Sequence, residues 1–189
     1  MFEVRKRSRL PHWHSDEAPY FVTFNLVETM PAEFRERLKI ERRVRIAELE
    51  RLKQRATASE VHAIDRMMRE RAEEYLDSGV GECWLKRTSI AELVVNALMH
   101  FDDQRYRLLA WCVMPNHVHV VFNTDNRIDR VLNSWKSFTS KEANRLLGRA
   151  GSFWQQDYFD RTIRNRSDFD RTVRYVLENP VRSGLIDWP

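Results

Sequence analysis

The chain has 189 residues, 42% of them hydrophobic and 32% charged, which is enough for one domain with a real core and excludes a largely disordered chain. Its longest apolar runs, at 108–114 and 118–122, fall far short of the ~20 residues that cross a bilayer, and the opening from Met1 to Arg9 holds no apolar leader, so a cytoplasmic protein with no membrane partner is expected. A net charge of +4 and a pI near 9.3, with basic clusters at Arg5, Lys6, Arg7 and Arg9 and again between Arg127 and Arg182, fit a polyanionic partner.

In chain order, the alternating, aromatic and β-branched stretch from Pro19 to Leu26 predicts a first strand. From Pro31 to about Ser78 the composition is Arg, Glu, Lys, Leu and Ala with scattered apolar positions, which predicts two long, solvent-rich helices broken near Ala56 to Ser59. Gly79, Val80 and Gly81 form a hinge. Ile90, Leu93, Val94, Ala97 and Leu98 then recur at helical spacing and predict a helix packed on the core. Arg105 to Met114 and His117 to Phe122 are β-rich runs separated by Pro115 and Asn116, which predicts a hairpin. Ile128, Val131, Leu132, Trp135 and Phe138 fall on one face of a further helix that Gly148 to Gly151 ends. Phe153 to Arg164 holds a fourth strand. Ser167 and Asp170 have the spacing of a capping box for a last helix, which Pro180 stops at Asn179. Cys83 and Cys112 lack the spacing of a disulfide framework or a thiolate zinc site and read as small buried hydrophobes. This order of elements predicts an α+β fold in which helices cover one face of an antiparallel sheet.

The sharpest local feature is His117-Val118-His119 on the predicted third strand. Alternate strand residues share a face, so the two imidazoles stand side by side, where they suit either a metal ion with open positions or a hydrogen-bonded pair on a half-buried strand. His12 and His14 repeat the spacing in a prolyl, polar lead-in that has no strand around it, and read as exposed. On the last helix Phe169, Val173, Val176 and Leu177 form an apolar stripe. Tyr175 lies roughly 145° from its centre, so it is either a surface tyrosine or a functional one. Asn179 sits four residues later and rises on nearly the same face.

The stretch His117-Val118-His119, the run from Phe153 to Arg164, and the run from Arg174 through Tyr175, Asn179 and Pro180 to Leu185 resemble the REP-associated tyrosine transposases. These are single-tyrosine members of the HUH nuclease superfamily. Arg9 to Trp13 and Tyr20 to Phe24 are similar to the family as well. The resemblance implies a ferredoxin-like antiparallel sheet with helices packed on it, in a single domain over 1–189, with a helical insertion at about 30–103 after the first strand that exceeds the minimal family pattern.

It implies His117, His119 and Asn179 as ligands of a divalent cation, Mg²⁺ or Mn²⁺, and Tyr175 as the nucleophile. Tyr158 lacks a ligand residue four positions on. The implied activity is metal-dependent endonuclease and strand-transfer chemistry on single-stranded DNA near a hairpin of the repetitive extragenic palindrome (REP) type, through a covalent 5′-phosphotyrosine; monomer and homodimer both fit. An inactive hairpin-binding module on the same fold is the alternative. A zinc hydrolase is a further rival, weakened by a neutral Asn ligand and by the lack of a flanking general-base carboxylate. Candidate DNA contacts are the basic residues Arg5, Lys6, Arg7, Arg9, Lys136, Lys141, Arg161, Arg164 and Arg174, with Trp13 and Tyr158 as stacking platforms.

Overall fold

The computed structural model describes residues 18–53 and 55–185. Arg5, Lys6, Arg7, Arg9 and Trp13, and the pair His12 and His14, lie outside the described residues. The elements run β1 (Tyr20–Asn25), α1 (Ala32–Lys53), α2 (Ala58–Asp77), a short 3-10 turn (Trp84–Lys86), α3 (Thr88–Met99), β2 (Arg107–Val113), β3 (His117–Asn123), α4 (Ile128–Leu147), β4 (Phe159–Thr162) and α5 (Arg166–Arg182). The four strands form one antiparallel sheet in the order β2-β3-β1-β4. With α3 between β1 and β2, and α4 between β3 and β4, this is the split βαβ arrangement of ferredoxin-like folds.

Strand alternation divides the core into two parts. Val22 and Phe24 on β1, with Val118, Val120 and Phe122 on β3, point to one face and pack against Ile90, Val94 and Leu98 of α3 and Val131, Leu132 and Trp135 of α4. Phe21 and Val121 point to the other face, where Phe169, Val173 and Val176 of α5 cover them. Helices therefore lie on both faces, not on one as the element order suggests. Because Thr23 pairs with His119 and Asn25 with His117, both histidines share the α5 face. That register brings the last helix to them.

The α1 and α2 helices form an antiparallel hairpin joined by Arg42 to Asp65 at 2.6 Å, an ion pair of Arg71 with Glu41, and stacked Phe34 and Tyr75 rings 4.2 Å apart. A capping box at Thr57 and Glu60 starts α2. Ile64, Met68 and Leu76 are buried, so α2 is not the solvated helix its composition suggests. Gly81, at φ +86°, lies so close to Thr29 that a Cβ there would sit 2.8 Å from the Thr29 Cα. The hinge must be glycine at this point.

Four local expectations are corrected. Phe138 is 52% exposed and Thr139 takes the buried place, its hydroxyl donating to the Trp135 carbonyl at 2.7 Å and accepting from Trp154 Nε1 at 2.8 Å. The last helix is capped by Asn165, whose side chain accepts from the Asp168 amide, not by Ser167. It continues through Pro180 to Arg182, because proline in the final turn forfeits only one backbone hydrogen bond. Cys112 is buried as expected, whereas Cys83 is half-buried, and both are free thiols.

Candidate active site

His117 and His119 are fully buried, at 0% exposure, and their Nε2 atoms stand 2.9 Å apart. The hydrogen bonds around His117 fix its orientation. The Asn116 amide nitrogen donates to the carbonyls of Leu76 and Val80 at 3.0 and 3.1 Å, so its oxygen must face the ring. That oxygen accepts from His117 Nδ1 at 2.7 Å and turns Nε2 toward His119 and Asp77. On His119, Nδ1 meets the Thr23 hydroxyl at 2.8 Å. Burial and the neighbouring His117 hold the His119 imidazole well below its ordinary pKa, in the neutral form that a metal requires.

Two further side chains close on this pair. Asp77, the last residue of α2, places Oδ1 3.3 Å from His117 Nε2. One ligand atom from each of Asp77, His117 and His119 fits within a sphere of mutual distances under 4.8 Å, as a metal-binding group requires. Asn179 of α5 is 1% exposed, and its amide nitrogen donates to Asp77 Oδ2 at 3.2 Å. The Asn179 and Asp77 Oδ1 atoms are buried and have no hydrogen-bond partner. Buried acceptors without a donor are costly. Two imidazole nitrogens and two orphaned oxygens gathered in one place have the chemistry of a cation site.

Tyr175 completes the cluster. Its hydroxyl lies 3.5 Å from His119 Nε2, and its ring meets Phe21 and His119 edge-on with centroids 6.1 and 5.3 Å away. It is half-buried and not a surface residue: the buried arc of α5 runs beyond the apolar stripe to Thr172 and Asn179. Glu73 of α2 lies beside the phenol and acts on it electrostatically. Burial, then the charges of Glu73 and Asp77, push the Tyr175 pKa upward. Burial raises Glu73 to about 7, with the neighbouring Tyr175 hydroxyl opposing.

The lack of a flanking carboxylate inferred from the sequence is thus overturned. Asp77 and Glu73 come from a helix far from the histidines in sequence. The signal that could have found them is the spacing Ile64, Met68, Leu76, which marks a buried face on α2, with Glu73 and Asp77 one position past it on the next turn.

The basic candidates separate into two sets. Arg161 is turned inward, donating to Asp168 at 2.8 Å and to the Thr172 hydroxyl, and lies 5.4 Å from the Phe21 ring. Lys136 donates to the carbonyls of Gln155 and Gln156 at 2.6 and 2.8 Å and lies 5.8 Å from the ring of the half-buried Tyr158. Lys141, Arg164 and Arg174 are exposed. Two cations not singled out in the sequence border the nucleophile's surroundings: Arg182 lies 5.9 Å from the Tyr175 ring and Arg69 5.2 Å from the Phe159 ring.

Residues 87–179 match the family model described as "Transposase IS200 like". This segment, just under half of the chain, contains His117, His119, Tyr175 and Asn179. The chain is 29% identical over 91 residues to the REP-associated tyrosine transposase of Escherichia coli (strain K12), and 27% identical over 100 residues to the putative one of Haemophilus influenzae (strain Rd). The chain is related to the REP-associated tyrosine transposases. The matched segments cover 46% and 44% of this chain and 54% and 57% of those relatives, so the chain spans about half the length of the curated relatives it matches. In fold it is similar to a solved REP-associated tyrosine transposase bound to a REP hairpin, with a TM-score of 0.54 and 18% identity, over 97% of this chain and 81% of that one. This transposase-like fold holds no helix, among the described residues, long and apolar enough to cross a membrane.

Proposed function

We propose that the protein is a metal-dependent endonuclease and strand transferase for single-stranded DNA, acting beside REP-type hairpins through a covalent 5′-phosphotyrosine. The observation that carries this reading is the approach of the Tyr175 hydroxyl to 3.5 Å from His119 Nε2, inside a cluster of metal-ligating groups. The relatedness to tyrosine transposases supplies the substrate class. His117, His119 and Asn179 would hold Mg²⁺ or Mn²⁺, with Asp77 as a further oxygen ligand, and the donor set fits: two imidazoles, a carboxylate and an amide oxygen with no other partner. When bound, the cation supplies Lewis-acid stabilisation of charge on the scissile phosphate.

The chain's own residues do the rest. Asn116 and Thr23 lock the two imidazoles in orientation. Phe21 and the α5 backbone hold the phenol at the mouth of the cluster, so attack on the phosphorus starts from a positioned nucleophile. Attack forms the Tyr175 Oη–P bond as the P–O3′ bond breaks. The ester linkage is conserved, and a 3′-hydroxyl can later reverse the step without a nucleotide cofactor. Arg182, beside the Tyr175 ring, and the exposed Arg174 and Arg164 would meet phosphates of the bound strand. The assembly acts in this reading as monomer or homodimer.

Incubating the protein with a 5′- or 3′-labelled REP-type hairpin oligonucleotide and Mn²⁺ tests the reading. A protein-linked product that vanishes with Tyr175→Phe is expected. Specific hairpin binding without cleavage at any cation would make the protein an inactive binder instead. The Asp77 carboxylate also favours a second reading, metal-assisted hydrolysis, and product analysis separates it: hydrolysis leaves both DNA ends free of protein.

A further inference from the structure

Helix α2 runs past the active site in a particular register. Arg69, Glu73 and Asp77 are spaced four apart and so form one row along the helix. Asp77 ends the row at His117 and Asn179. Arg69 begins it at the Phe159 ring, and Phe159 packs on Phe21, which packs on Tyr175. Glu73 stands between them on the same row, beside the phenol. The end of α2 is pinned independently, by Asn116 donating to the carbonyls of Leu76 and Val80 and by the glycine-only contact of Gly81 with Thr29. The row is therefore held in place by contacts beyond its own three residues.

Resting on the proposed reaction, we infer that Glu73 is a further catalytic residue, the base that accepts the Tyr175 proton as the phenol attacks the phosphate. The competing acceptor, His119 Nε2, is 3.5 Å from the hydroxyl, at the limit of a hydrogen bond, and faces His117 Nε2 at 2.9 Å. It belongs to the cation site and is not free to take a proton. In the forward step the Tyr175 Oη–P bond forms and the P–O3′ bond breaks. The phenol proton passes to a Glu73 oxygen, and the departing 3′ oxygen takes one from water. In rejoining, the 3′-hydroxyl attacks phosphorus and gives its proton to water, and Glu73 returns its proton to the departing phenolate. The charged and titratable groups facing Glu73 are Tyr175 from α5, Asp77 and Arg69 from its own helix, and Arg161 from β4. A carboxyl poised near neutrality can act in both directions, as a reversible transesterification requires.

The test is single-turnover adduct formation on a REP-type hairpin oligonucleotide with Mn²⁺, from pH 6 to 8.5, for the parent, Glu73→Gln and Glu73→Asp. The parent rate should rise with pH as the Glu73 carboxyl loses its proton. Glu73→Gln should be slower by about 100-fold or more and lose that rise, while Glu73→Asp should recover part of both. Mn²⁺ affinity and hairpin binding of Glu73→Gln should stay within about threefold of the parent. A Glu73→Gln rate within about threefold of the parent, with the same pH profile, overturns the role of Glu73 and leaves the phosphotyrosine reaction standing. Should Glu73→Gln not fold, Glu73→Asp decides: a rate within about threefold of the parent with the same pH profile overturns the inference, and a slower rate with a shifted pH profile supports it. A parent that forms no adduct with any cation fails the underlying reaction instead, and the role of Glu73 with it.

Discussion

Residues 87–179 and the α1–α2 hairpin meet at one cluster but enter it differently. The first region carries His117, His119, Tyr175 and Asn179 on a strand and a helix in the transposase-like part of the chain. The second lies outside the matched segment and looks, by composition, like a solvated charged hairpin. It nonetheless delivers Asp77 to His117 and Glu73 to Tyr175. A charged hairpin need not be decoration: once one face of its inner helix packs on the core, the polar residues beside that face are delivered to whatever lies next to it.

The comparison breaks most sharply at the sheet. His119→Ala should abolish Mn²⁺ binding and lower adduct formation by more than about 1,000-fold, read by isothermal titration and by gel. Losing a buried ligand removes both the cation and its charge stabilisation. Equal activity in that variant would place the chemistry elsewhere. On the hairpin side, Asp77→Asn keeps the shape and removes the charge. It should weaken Mn²⁺ by about 10–100-fold with a far smaller effect on hairpin binding. A titration that matches the parent would show that α2 only leans on the site.

Asn116 joins the two regions, holding His117 through its oxygen and the end of α2 through its nitrogen. Asn116→Ala should therefore weaken Mn²⁺ by about 10-fold or more and destabilise the fold by about 1–3 kcal/mol, seen together in a titration and a denaturant melt. A change in only one of the two would mean the regions are not coupled there.

The buried carboxyl of Glu73 adds a pH signature. Its folded value of about 7 stands above the ordinary 4.5, so the folded state holds that proton more tightly. The contribution to stability is whole below about pH 4.5, falls as pH rises to about 7, and is level above. In cation-free buffer the loss is at most about 3 kcal/mol. Glu73→Gln should flatten this slope and melt higher than the parent at pH 8. A parallel slope in the variant would assign the proton uptake to another group. The smallest effect belongs to the far end of the hairpin: Thr57→Ala removes the capping box and should cost about 1 kcal/mol in a denaturant melt. A loss of cation affinity as well would show that the whole hairpin is tensioned against the site.

What could be read in the sequence divides along the same line. Strand alternation put His117 and His119 on one face, and helix periodicity put Tyr175 and Asn179 together off the apolar stripe of α5, because both patterns are local. Which sheet face each helix would cover is not local. It depends on the pairing of Thr23 with His119, and the element order alone predicted one covered face where there are two. Asp77 and Glu73 were invisible for the same reason: their partners lie 40 or more residues away, and a carboxylate on a charged helix looks alike whether it meets water or an imidazole. Ser167 and Pro180 misled at the ends of α5, where one neighbouring polar side chain or one lost hydrogen bond decides the boundary.

The most direct measurement is a crystal structure of the protein soaked in Mn²⁺, with anomalous data at the manganese edge. The account predicts a peak within bonding distance of His117 Nε2, His119 Nε2, a side-chain oxygen of Asn179 and a carboxylate oxygen of Asp77, beside the Tyr175 hydroxyl. A peak held by the imidazoles with Asp77 turned away, or none at this cluster, would contradict it.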